Sequence, residues 1–136
     1  MSDTELEAAV AEKVAGWKTE RMSGYHAAYC SVDPFSVRGK VAYGSPHEAQ
    51  ADYPRYLTDA KAVIALLDQW QRVAASKHPE GRIYWQAGSW RRRRSKLKWV
   101  ELCGMIGGTI LTEADTFCRA GCLALLEAND CGKEGV

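Results

Sequence analysis

The stretch SWRRRRSKLKW, residues 89–99, carries six cationic side chains in eleven positions: Arg91, Arg92, Arg93, Arg94, Lys96 and Lys98. Guanidinium groups are planar forks that match phosphate or carboxylate oxygens two at a time, and they stack on aromatic faces. Trp90 and Trp99 bracket the run, with Tyr84 and Trp85 shortly before it. Forks beside flat rings are what an anionic ligand with an aromatic part requires: arginines for the phosphates, rings for a base. The same run also suits the solvated tip of a β-hairpin, where charge discourages edge pairing.

A second group is aromatic: Tyr25, Tyr29, Phe35, Tyr43, Tyr53 and Tyr56. Tyrosine offers a large amphipathic contact surface at small entropic cost, which favours recognition. Rings of this kind also serve simply to cover the end of a sheet. If their segment folds over the hairpin tip, Tyr53 or Tyr56 joins Trp90 and Trp85 in facing a base, while Arg91, Arg92, Arg93 and Arg94 hold its phosphates.

Catalytic and metal-binding patterns are weak. His26, His47 and His78 stand apart, without partners at ligand spacing. Cys118 and Cys122 are four apart on one helical face, but no second pair completes a site, and small buried filler is the expected role. Gly107 and Gly108 read as a hairpin turn and not as a phosphate loop. Glu113 and Asp115 precede a helix, where Asp115 or Thr116 reads as an N-cap. The expectation is therefore a binding protein, not an enzyme, with no metal and no cofactor.

Charge agrees with a concentrated site. The 136-residue chain has net charge +1, so removing the six cations of the run leaves −5 for everything else. An acidic body with one basic segment is poorly suited to sequence-independent duplex binding, which draws on a broad basic face. A small anionic ligand or an acidic protein surface fits better. Composition is that of a globular domain, with 46% hydrophobic and 26% charged residues. The beginning of the sequence does not read as a secretory signal, and no stretch is long and apolar enough to span a bilayer. Cysteines at 30, 103, 118, 122 and 131 are odd in number and dispersed, which suggests reduced thiols in a cytoplasm.

The elements that must position these residues can be read in order. Ser2 and Glu5 form a capping box, and Leu6, Val10, Val14 and Trp17 share one face of a helix over residues 3–15, ended by Gly16. Residues 18–57 hold three prolines and no sustained period, with short strands suggested near Tyr25–Cys30 and over 40–43. Thr58 offers an N-cap and Asp59 a first-turn acid for a helix over 58–75, with Val63, Ile64, Leu67, Trp70 and Val73 on its stripe. RIYWQAGSW and KLKWVELC read as an antiparallel hairpin, its basic tip at 90–98. In the second run Leu97, Trp99, Glu101 and Cys103 point one way, and Lys98, Val100 and Leu102 the other. GTILTEAD adds a third strand, and a helix over 116–129 buries Phe117, Ala120, Ala124 and Leu125. The expected fold is one α+β domain over 1–136, a small antiparallel sheet of three to four strands packed with helices.

Three blocks in this order carry a resemblance. Ala11, Glu12, Lys13, Val14, Gly16 and Trp17 form the first; Tyr56, Thr58 and Asp59 the second; Ala114, Asp115, Thr116, Cys118, Arg119 and Ala120 the third. Together they resemble the phage ABA sandwich domain family of small bacteriophage proteins. Leu57 stands where the family has serine, and one residue is missing between Thr116 and Cys118. Residues 18–57 and the arginine run have no counterpart in that pattern. The resemblance implies a phage origin and a helix–sheet–helix fold, and no particular activity.

Joined to the charge pattern, it leads to the expectation of a phage counter-defence protein in the cytoplasm of the infected host. That protein would sequester a small anionic, nucleotide-derived immune signal. The alternatives are an inhibitor that docks on a host defence protein, such as a nucleic-acid-guided nuclease, and an accessory protein with no ligand. A homo-oligomer is compatible with the pattern and not demanded by it.

Overall fold

A computed structural model describes residues 2–30, 44–90, 96–105 and 108–134. They form two compact units, Met1–Arg55 and Tyr56–Val136. The architecture is α+β, with four α-helices, a two-stranded and a three-stranded antiparallel sheet among the described residues. The suggested strand over 40–43 lies outside them.

In the first unit, α1 (Asp3–Ala9) starts where expected. The Ser2 hydroxyl accepts from the Glu5 amide, and the Glu5 carboxylate accepts from the Ser2 amide. Its continuation over Val10–Val14 is a π turn, closed by a hydrogen bond from the Ala15 amide to the Val10 carbonyl. The wider turn places Ala11 in the core beside Leu6 and Val10. Gly16 then takes φ 81°, the left-handed conformation that stops a helix. Strands β1 (Trp17–Met22) and β2 (Tyr25–Cys30) pair from Trp17↔Cys30 to Met22↔Tyr25, and Gly24 supplies the positive φ of the tight turn. A short helix α2 (Pro46–Ala49), capped by the Ser45 hydroxyl, runs into a 3-10 turn and packs Ala49 against the hairpin.

In the second unit, α3 (Ala60–Lys77) is capped by the Asp59 carboxylate, which accepts from the amides of Lys61 and Ala62. Its buried residues are Val63, Leu66 and Leu67. Ile64 and Val73, expected on that stripe, are 39% and 47% exposed. At about 100° per residue Val63 lies at the centre of the face that Leu66 and Leu67 flank, which leaves Ile64 beside it, while Val73, seven residues after Leu66, keeps that side's direction near the end of the helix and is exposed.

Strands β3 (Tyr84–Ser89), β4 (Lys98–Met105) and β5 (Gly108–Ala114) form one antiparallel sheet in that order. Helix α4 (Phe117–Glu134) packs on β4 and β5 and against α3. Val100, Leu102 and Ile110 meet the buried Ala120, Cys122, Ala124 and Leu125 in the core. Cys118 and Cys122 are buried, as filler should be. The Thr116 hydroxyl accepts from the Arg119 amide at the helix start, while Asp115 instead pairs with the Arg119 guanidinium at 3.2 Å.

Candidate functional site

Pairing register sorts the second unit's sheet into two faces, because directly opposed residues point the same way. Val100 faces α4: a Cβ added at Gly121 would lie 4.0 Å from its Cγ2. Thr112 shares that face and donates its hydroxyl to the Ala120 carbonyl at 2.6 Å. Trp85, opposite Leu102, belongs there too. Its indole Nε1 donates to Asp68 at 2.9 Å, its amide donates to Gln71, and its ring lies 6.4 Å from Phe117. Trp85 thus ties β3 to the helices.

The outer face is different. It carries Tyr84, Gln86 and Gly88 on β3, Trp99, Glu101 and Cys103 on β4, and Leu111 and Glu113 on β5. Tyr84, Trp90, Leu97 and Leu111 are all exposed, an unusual concentration of large apolar side chains on one sheet face. The Nε1–Cζ2 edge of the Trp99 indole lies against Gly88, where an added Cβ would sit 2.8 Å from Cζ2. Trp90 stands beside it, ring centres 6.0 Å apart and tilted 40°. At the other end, the Arg82 guanidinium sits over the Tyr84 ring, 5.7 Å from its centre. Between them, Gln86 Nε2 and Cys103 Sγ both donate to Glu101 Oε1, at 2.9 and 2.8 Å. Burial, then the Glu101 hydrogen bond, pushes the Cys103 thiol above its ordinary pKa, so it stays protonated. The hydrogen bond with Cys103 is the largest cause that raises the Tyr84 phenol in turn.

The expected site residues are distributed as follows. Trp90 is 40% exposed, and its amide donates to the Leu97 carbonyl at 3.2 Å, extending the hairpin stem beyond Ser89↔Lys98. Arg91, Arg92, Arg93 and Arg94 lie outside the described residues. Tyr53, in the first unit, is 5% exposed; its ring packs on Trp17 at 5.9 Å and its hydroxyl donates to Glu12 Oε2 at 3.0 Å. Tyr56, in the second, is 3% exposed, and its carbonyl accepts from the Cys122 thiol at 3.8 Å. Both phenols are therefore placed as core rings.

Sequence reasoning named Trp99 and Tyr84 as rings near the run but grouped Tyr84 with Trp85, which the register puts on the opposite face, and it missed Arg82. Period-two alternation held the signal: Tyr84 and Trp90 share parity on one strand, and Leu97 and Trp99 on the next.

A concavity of about 260 Å³ among the described residues of the first unit is lined by groups that include Glu7, His47, Glu48 and Arg55. Among the described residues no three His, Cys, Asp or Glu side chains gather as metal ligands do, and no helix is long and apolar enough to cross a membrane. Comparison with known proteins found no matching family model, no matching curated protein and no matching solved structure.

Proposed function

We propose that the protein is a binding protein that takes up a small anionic, nucleotide-derived ligand on the outer face of the β3–β4–β5 sheet. The observation that carries this reading is the Trp90–Trp99 pair, two indoles side by side, Trp90 exposed and Trp99 half-buried. The chain follows Trp90 directly with Arg91, Arg92, Arg93 and Arg94. A base stacks on an indole with a gain of about 1–3 kcal/mol. Guanidinium forks supply the phosphate contacts. Trp85, Tyr53 and Tyr56 act in this reading as supports for the scaffold and not as stacking partners.

The resemblance to small phage proteins gives the setting: sequestration of a host immune signal during infection, in the host cytoplasm. Binding alone accomplishes this, so no catalytic group is required.

A second reading rests on Leu97 and Leu111, exposed on the same face. Apolar side chains beside tryptophans and arginines also suit a protein partner, which favours an inhibitor docked on a host defence protein.

Titration calorimetry against linear and cyclic nucleotides separates the two. Micromolar or tighter binding of one nucleotide, lost in the Arg92→Ala, Arg93→Ala double variant, supports sequestration. Absence of heat across the panel overturns it and leaves docking.

A further inference from the structure

Gly88 and Tyr84 are four residues apart on β3, with side-chain positions on the same face. At the rise of a strand, that is roughly 13 Å. The Trp99 ring lies beside Gly88, so the outer face holds two aromatic positions, at Trp99 and at Tyr84, whose backbone positions on β3 are about 13 Å apart. Two bases stacked on each other are separated by only about 3.4 Å. A stacked pair spans far less than that backbone separation.

We infer that Tyr84, with Arg82, is a second base-stacking position, and that the ligand carries two nucleobases, splayed apart and joined through phosphate. This rests on the nucleotide-binding reading above. Charge orders the parts of such a ligand: Arg82 is positive beside Tyr84, whereas Glu101 lies midway between the two positions and Glu113 stands opposite Trp99. The Glu101 carboxylate is fixed by Gln86 and Cys103. A fixed carboxylate repels a phosphate at the centre and accepts from the exocyclic amines of bases. The bases therefore lie on the face, while the linking phosphate arches away from it. Cyclic dinucleotides and short linear single strands share this chemistry.

The test measures quenching of tryptophan fluorescence by mononucleotides of the four bases, by their linear dinucleotides and by their cyclic dinucleotides. The expected result is a dinucleotide that binds about tenfold or more tightly than its mononucleotide, the gain of one added stacked base. Preference for the cyclic or the linear form identifies the source. In Tyr84→Leu that advantage vanishes and the two bind alike, whereas Tyr84→Phe keeps the ring and the advantage. Thermal melts establish that each variant folds, and Arg82→Ala, expected to reduce the same advantage, serves if Tyr84→Leu does not. Equal affinities for mono- and dinucleotides in the unmodified protein overturn the second position and leave the first intact. No quenching by any probe overturns both.

Discussion

Trp99 lies on Gly88. The indole of one strand covers the residue of the neighbouring strand that has no side chain, close enough that a Cβ there would meet the ring at 2.8 Å. Gly88 sits on an edge strand, and a cross-strand ring compensates for what glycine lacks in packing. The arrangement also fixes how far Trp99 stands from the sheet, and so the surface that a flat ligand meets.

Gly88→Ala should lift Trp99 off the sheet and cost about 1–3 kcal/mol, as overpacking does. Denaturant titration checks the stability, and tryptophan emission checks the ring. Paired with Trp99→Leu, the substitution should show a coupling energy of about 0.5 kcal/mol or more. Additive effects would mean that the two residues do not depend on each other.

How much of this was legible in the chain depends on the kind of signal. Helix starts are written locally: Ser2 with Glu5 and Thr116 cap as their positions indicate, while the cap of α3 falls on Asp59, one residue after Thr58. The π turn at Val10–Val14 was not, because Leu6, Val10 and Val14 keep the spacing of an ordinary helix whether or not one turn widens. The stripe on α3 was half legible, since Ile64 and Val73 are as apolar as their neighbours and only tertiary packing buries Leu66 instead. For the candidate site, Trp90 was reached from its place beside the arginines. Trp85 and Tyr84 are adjacent in sequence but face opposite ways, and only the β3–β4 register assigns Trp85 to the helices and Tyr84 to the open face.

Gly121 has a tertiary role that propensity opposes. A Cβ there would stand 2.7 Å from Val63 Cγ1, so its absence sets how closely α4 approaches α3. Gly121→Ala gains about 1 kcal/mol in intrinsic helix propensity but forces the helices apart, and a net loss of stability is expected. Val63→Ala in the same chain should recover part of that loss. A melting temperature unchanged or raised by Gly121→Ala alone would show that the contact gives way freely.

The Cys103 thiol should be a slow nucleophile, because only the thiolate attacks and burial with Glu101 holds the proton on sulfur. Replacement Glu101→Gln removes the charge that raises this thiol, so its pKa falls and the thiolate fraction at pH 8 rises. Site-resolved mass spectrometry after iodoacetamide treatment should therefore find faster labelling at Cys103 in the variant. Equal rates would show that burial alone protects it.

Tyr53 gives the protein an alkaline limit. Burial, then the hydrogen bond to Glu12 and the Glu12 charge, raises its phenol well above the ordinary value near 10. The folded state holds this proton more tightly than the unfolded chain does. Its contribution is therefore fully present below the unfolded pKa, about 10, and is lost as pH rises from there toward the folded pKa. Tyr53→Phe deletes the hydrogen bond and should cost about 1 kcal/mol at pH 7. It also deletes the titrating group, so the stability gap between the variant and the unmodified protein should close as pH climbs above 10. Urea denaturation at pH 7, 9, 10 and 11 measures that gap directly. A gap that stays constant across the series would mean that the Tyr53–Glu12 pair does not couple the proton to folding.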